Sequence, residues 1–258
     1  MYAYILCVPI MDRMNLRGNI MKNSNKIMMI LGAATLLASC GGANGAKTGE
    51  AYALCHGGSY VAGATVTVDG GKITDATLGE VCMPSYVQAA EGTAEANYVV
   101  GNVTSHGTTS EQKWYKEVAF GSYKLTASTK DDGSLQYTGA DFSKAEVCEA
   151  YYKAVMDGSC KASGDVTLTK AQLSKDENKY GEPNFNWKAN RDATVAAFIE
   201  YGAEACLAAT QADADENGKK YWTINGVSTG ATWTDFNKVA DGYDSYIKVL
   251  ATAYNNAK

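Results

Sequence analysis

The 258-residue chain is poor in the residues that most hydrolases and metal enzymes rely on. It has only two histidines, His56 and His106. Neither has a second ligand at metal spacing, which argues against a His-built metal site. No G-x-S-x-G stretch occurs, and no nucleophile has a pair of histidines to serve it, which argues against a hydrolase of that kind. No C-x-x-C-H is present: Cys55-His56 has Tyr52 where the first Cys of a covalent c-type haem would stand. An excess of positive charge is also lacking. The formal net charge is -5, so nucleic acid is not an expected partner. No apolar run reaches the length of a stable membrane-spanning helix; the longest candidate, Ile27 to Leu37, falls well short.

That run does sit in a recognisable place. From Met21 the sequence reads MKNSNKIMMILGAATLLASCGG. Lys22 and Lys26 precede the apolar stretch, and small residues and Cys40 follow it, an order that marks an export segment rather than part of a fold. Residues 1–20 do not fit this pattern. They put apolar residues and Cys7 ahead of the charged stretch and read as an upstream extension before a start at Met21. The Arg17-Gly18 codons can spell a purine-rich ribosome-binding site at a suitable distance. Loss of residues 1–39 removes Arg13, Arg17, Lys22 and Lys26 against one acid, Asp12, leaving the rest more acidic than the whole chain. Residues 40–50 are small and flexible, a tether.

Past the tether, hydrophobic content of 46% and charged content of 20% over the chain are those of a globular protein. Residues 51–258 read as one α+β domain, with antiparallel hairpins first, helices interleaved later and a C-terminal helix packed on the sheet. In YVAGATVTVDGGKITDATLGEV apolar and polar residues alternate around Asp69-Gly70-Gly71-Lys72, a hairpin signature. A second hairpin is expected in YKLTASTKDDGSLQYTG, turning at Asp131 to Ser134. Between them, Ala89 to Gln112 is rich in Gly, Thr and Ser and reads as loop. Ser143-Lys144-Ala145-Glu146 has the form of a capping box, with Ser143 as N-cap, ahead of a stripe of Val147, Cys148, Tyr151, Ala154 and Val155 closed by Asp157-Gly158. Lys170 to Trp187 is polar and irregular. Asn190 to Ala209 has helical period, with Val195, Phe198, Ile199 and Cys206 on one face. A turn at Asn217-Gly218-Lys219 leads to a strand over Lys220 to Ile224. A last helix is expected over Thr234 to Ala257, capped by Thr234 or Asp235, with Phe236, Val239, Ala240, Tyr243, Ile247, Leu250 and Tyr254 as its stripe. Beyond Cys7 and Cys40 five cysteines remain. An odd number cannot all pair, and disulfides Cys55–Cys82 and Cys148–Cys160 are both left open.

The stretch NGVSTGATWTDF, Asn225 to Phe236, packs small and hydroxyl residues between the aromatic strand and the last helix. A helix starting at Asp235 offers unpaired N–H groups and partial positive charge, a natural place for a phosphate. Gly230 and Ala231 leave room, Thr232 presents a hydroxyl, and Trp222 and Trp233 provide flat faces for a planar ring. A plain hydroxyl-capped turn accounts for the same residues.

Two resemblances extend this reading. LASC followed by glycines resembles a bacterial lipobox; it implies a signal peptide over 21–39 and a lipidated Cys40 as first residue of the mature protein. TGATWT, Thr229 to Thr234, resembles the flavinylation motif [ST]-G-A-[ST]-x-[ST] of FMN-binding domains. The opening hairpin, with its D-G-K-I-type turn, is similar to theirs as well. The family usually carries an Asp three residues before the first motif hydroxyl, where this chain has Gly226, with Asn225 one further back. The hairpin-to-motif interval is long, as though an insertion or a second degenerate unit lay between. AGATVT, Ala62 to Thr67, has Ala62 where a hydroxyl is expected and reads as hairpin. The resemblance implies FMN in phosphoester linkage to Thr232, read by an FAD:protein FMN transferase through Thr229, Gly230, Ala231 and Thr234. With the lipobox, the whole chain resembles the flavinylated lipoproteins of extracellular electron transfer in Gram-positive bacteria. The expected protein is then an electron carrier, more than an enzyme with its own substrate. It would be lipid-anchored on the extracellular face of the membrane, fed by a quinol-linked donor and discharging to extracellular acceptors. The alternative is a lipid-anchored solute- or polymer-binding or structural lipoprotein without flavin, for which 17 Tyr and 4 Trp supply the groove-lining aromatics.

Overall fold

The computed structural model describes residues 45–181, 186–237 and 243–258. The export segment and Cys40 therefore lie outside the described residues, as do Val239 and Ala240. Within this part the chain is α+β, built on several antiparallel sheets with the C-terminal helix packed against them.

The first sheet holds β1 (Lys47–Cys55), β2 (Tyr60–Asp69) and β3 (Lys72–Cys82) in the order β1-β2-β3. The Asp69–Lys72 turn closes with Gly70 at φ 56° and Gly71 at φ 80°, a two-residue connection that requires left-handed backbone. AGATVT lies inside β2. Its Gly63 pairs with Gly79 of β3, and the two form a trough over which the Tyr152 ring lies; a Cβ on Gly63 would sit 2.9 Å from that ring.

Ala89 to Gln112 is not a loop. It contains most of a hairpin, β4 (Tyr98–Ser105) with β5 (Thr108–Tyr115), turning at His106-Gly107 with φ of 50° and 77°. Both faces of this ribbon are largely exposed, so its sequence shows little of the apolar alternation that would reveal a strand. Next come β6 (Glu117–Phe120), β7 (Tyr123–Thr129) and β8 (Leu135–Gly139), with β7 and β8 joined at the expected Asp131–Ser134 turn.

Helix α1 (Ala145–Asp157) buries the stripe Val147, Cys148, Tyr151, Ala154 and Val155 and ends at Gly158 in the left-handed region. Its cap differs from the expected box. Lys144 occupies the N-cap position, and Ser143 instead donates from its hydroxyl to Asp141 Oδ1 at 2.7 Å. Aspartate two residues upstream outcompetes the helix for that hydroxyl. The Tyr151 hydroxyl donates to the Cys82 carbonyl at 2.6 Å and ties α1 to the first sheet. Short strands β9 (Lys161–Ala162) and β10 (Val166–Thr167) complete a five-stranded sheet in the order β10-β9-β6-β7-β8. The described part of Lys170 to Trp187 is mostly irregular, as expected, but contains a one-turn helix α2 (Lys170–Leu173) with a Thr169/Gln172 capping box.

Helix α3 (Trp187–Leu207) is interrupted at Gly202, whose φ of 78° is non-helical. Phe198 and Cys206 are buried as expected, Val195 only partly, and Ile199 is 38% exposed. The buried face instead includes Trp187, Asn190, Thr194 and Ala197. Two of those four are polar, which hid the face from an apolar count. The strand after the 217–219 turn is shorter than read, β12 (Trp222–Ile224), paired with β11 (Thr210–Gln211) and β13 (Val227–Ser228).

The last helix, α4 (Tyr246–Asn256), begins twelve residues later than the sequence pattern implies. Ser245 caps it, accepting from Lys248 N at 3.2 Å. Phe236, Ile247 and Leu250 are buried. Tyr254 is partly buried, and Tyr243, ahead of the helix, packs on Gly58. The helix lies on β1 and β2: Gly49 has no room for a Cβ beneath the Ala253 carbonyl, and Asn256 donates to the Glu50 carbonyl at 2.8 Å.

Two main cores result. One joins the first sheet to α3, α4 and the β12 hairpin; the other joins the Cys82 end of that sheet to α1 and the β6-β7 strands. All five cysteines, Cys55, Cys82, Cys148, Cys160 and Cys206, are free and buried. For Cys55 and Cys82 the reason is geometric. Both face Tyr60 in register, one from each side of β2. Two strand spacings, roughly 10 Å, separate them, beyond the reach of a disulfide.

Candidate functional site

The Asn225–Phe236 stretch begins as a hairpin. Asn225 (φ 51°) and Gly226 (φ 79°) connect β12 to β13 with two left-handed residues. Asn-Gly suits this turn best, which gives Gly226 a backbone reason to stand where the resembling family has Asp. The chain then folds back on Trp222. Thr229 donates twice to the Trp222 carbonyl, from its N–H at 2.9 Å and its hydroxyl at 3.0 Å, while its oxygen accepts from Ala231 N at 3.2 Å. Gly230 takes φ 81°, and the Ala231 carbonyl accepts from Trp222 N at 2.9 Å. Thr229 is thus occupied in the turn, and Ala231 is fully buried.

Thr232 is held from a different direction. Its N–H and its hydroxyl both donate to Oδ1 of Asn190 on α3, at 2.8 and 3.1 Å. Asn190 is 6% exposed, and its own amide nitrogen donates to the Asn186 carbonyl at 3.1 Å. One turn along the same face, Thr194 donates its hydroxyl to the Asn190 carbonyl at 2.8 Å and accepts from the Trp233 indole N–H at 3.1 Å. Residues 232 and 233 are therefore gripped by two polar groups of α3. Sequence reading missed both; their only local signal is the i,i+4 spacing of polar residues on the face that carries Trp187 and Phe198.

Two features expected around Thr232 are different in the structure. No α-helix starts at Asp235: Thr234–Phe236 is a single 3-10 turn. The helix-terminus argument for a phosphate therefore loses its basis, since so short a turn sums almost no aligned dipole. The indole faces are also engaged. Trp222 stacks on Phe236 at 5.3 Å, while Trp233 stacks on Tyr246 at 4.3 Å and meets Trp187 at 4.8 Å. Thr234 is exposed, and Asp235 pairs with His56 of the loop between β1 and β2.

Below the aromatic cluster lies a buried ion pair that sequence reading also missed. Lys175 Nζ is 2.8 Å from Glu80 Oε2, and the side chains are 7% and 0% exposed. The Tyr246 hydroxyl donates to Glu80 Oε1 at 2.7 Å. Lys175 Nζ also lies 3.9 Å from the Tyr60 ring centre and 5.2 Å from that of Trp187. Burial, with Glu80 beside it, pushes the Tyr246 phenol well above its ordinary range.

These residues fit FMN held by a bond better than FMN held in a pocket. A phosphoester needs one reachable hydroxyl, and Thr232 is only partly buried, with Gly230 and Ala231 presenting no bulk beside it. Two open clefts among the described residues lie elsewhere, one along Tyr86 and Tyr180, the other along Thr129 to Asp132. Comparison with family profiles, with curated proteins and with solved structures returned no match to this chain.

Proposed function

We propose that the chain is a lipid-anchored extracellular flavoprotein that carries FMN through a phosphoester to Thr232 and passes electrons between a membrane quinol-linked donor and extracellular acceptors. The FMN-binding-like domain with its long insertion then opens at Lys47, where β1 already pairs with β2, and not at residue 51, and Cys40, the lipidated residue, is joined to it by a tether that ends before β1. The observation that carries this reading is the division of labour among the motif threonines. Thr229 is consumed by the turn, whereas the Thr232 hydroxyl gives its proton to Asn190 and has no donor directed at its lone pairs among the bonds described. Lone pairs left open in this way support Thr232 as the acceptor. FMN would supply the redox chemistry; the chain's part is to fix one attachment point on a rigid joint and leave the ring to solvent, where partners meet it. Covalent attachment prevents loss of the cofactor outside the cell, and a lipid tether raises its local concentration at the membrane.

The test is co-expression of the full precursor with an FAD:protein FMN transferase, read by intact mass and in-gel flavin fluorescence. Thr232→Ala should abolish both signals in a folded protein, and Thr229→Ala should weaken them less. Cys40→Ala should move the protein out of the membrane fraction. If an established acceptor is flavinylated in the same cells and this chain is not, the electron-carrier reading is lost. The binding-lipoprotein reading would replace it, with the cleft of about 310 Å³ lined by Tyr86 and Tyr180 as its starting point.

A further inference from the structure

We infer that Asn190 is the positioning residue that presents Thr232 as an acceptor, an inference that rests on the flavin reading above. A single oxygen, Asn190 Oδ1, receives both the N–H and the O–H of Thr232. The N–H bond fixes the backbone; the O–H bond fixes the side-chain rotamer and turns the hydroxyl hydrogen inward. The lone pairs of Oγ1 then point away from α3. The carboxamide itself is held one way round, because its nitrogen donates to the Asn186 carbonyl at 3.1 Å, which leaves the oxygen to face Thr232.

The location of Asn190 supports a dedicated role. It lies on the buried face of α3 between Trp187 and Thr194, where an apolar side chain is the simpler solution. A buried amide is costly there unless its polar atoms are satisfied. The oxygen's partner is the motif, 42 residues away in sequence.

The chemistry gives this contact a direction. In transfer from FAD, the Thr232 Oγ1–P bond forms and the P–O bond of the pyrophosphate breaks. AMP departs with that electron pair, and the hydroxyl hydrogen turns from Asn190 as the Oγ1–P bond forms and passes as a proton to a base of the transferase. Before the reaction, Asn190 holds the nucleophile in one orientation, so less orientational freedom is lost at the transition state. After it, Oγ1 has no hydrogen to donate, and two acceptors would face each other across the 3.1 Å contact. Asn190 then retains the Thr232 backbone N–H alone.

The experiment measures the initial rate of flavin incorporation by intact mass, using the purified full chain, the transferase and FAD, with circular dichroism on every variant. Asn190→Ala should slow incorporation about tenfold, as expected for loss of a well-aligned hydrogen bond at the reacting group. Asn190→Asp keeps an acceptor oxygen for both Thr232 donors but sets its second oxygen against the Asn186 carbonyl, so it should restore the rate only in part. Ser163→Ala removes a side-chain partner of the Glu117 N–H, outside the contacts of Thr232 and Asn190, and should leave the rate unchanged. A folded N190A variant flavinylated at the wild-type rate would overturn the inference, as would an S163A variant slowed as much as N190A. Should N190A fail to fold, N190D decides: a folded N190D that incorporates flavin as slowly as the uncatalysed background also overturns it. An unlabelled wild type beside a labelled control acceptor is a different failure, that of the flavin reading itself.

Discussion

Replacing Lys175 with methionine should unfold a large fraction of the protein's stability through one buried atom. Methionine matches most of the lysine stem, so packing is largely kept, and only the ammonium is lost. That ammonium lies 2.8 Å from Glu80 Oε2, with the Glu80 side chain fully inaccessible. Without it the Glu80 carboxylate keeps one partner, the Tyr246 hydroxyl at 2.7 Å. Breaking a buried pair from one side costs about 3–5 kcal/mol, because an uncompensated charge remains in the core. Loss of the cation from the Tyr60 ring, 3.9 Å away, adds about 1 kcal/mol. The assay is urea denaturation at pH 7. With a slope of about 2 kcal/mol per molar, the midpoint should fall by roughly 2 M. Glu80→Gln with Lys175→Met removes both charges while keeping an acceptor for Tyr246, and it should recover to within about 1–2 kcal/mol of wild type. A single-variant loss below about 1 kcal/mol, the value of a solvated pair, would refute the reasoning. So would a double variant that costs the sum of its two singles.

Leu250→Ala, on the fully buried face of α4, should cost about 2–5 kcal/mol in the same melts; a shift near zero would mean that α4 is peripheral. Gly226→Asp installs the residue of the resembling family at φ 79° with open space around it, so the cost is backbone strain alone, about 1 kcal/mol in the urea midpoint. The five buried thiols should resist a thiol-specific reagent at pH 8 until denaturant is added. Burial pushes Cys82, Cys148, Cys160 and Cys206 up to about 12 from an ordinary 9.0. Their raised values stabilise the fold fully below pH 9, where unfolded thiols are also neutral. That contribution is lost as the pH rises from 9 toward 12, because the unfolded chain releases those protons first. A midpoint independent of pH across this window would contradict the burial.

The parts of this fold legible in the sequence are those decided by neighbouring residues. Asp69-Gly70-Gly71-Lys72 makes a tight turn from its own backbone preferences, and Val147 to Val155 declares a helix face by spacing alone. Local signals failed where two local solutions compete or where exposure hides the pattern. Ser143 had the form of a cap but found Asp141 first. Thr234 looked like the start of a helix that Ser245 begins. The β4–β5 ribbon, wet on both faces, gave no alternation to read. The motif around Thr232 was visible as residue types, yet its surroundings were not. Asn190 reaches it across 42 residues, and the Lys175–Glu80–Tyr246 cluster joins three separate segments. Local conformational energy is written along the chain; which polar groups become partners depends on which distant surfaces exclude water together, and only the packed structure decides that.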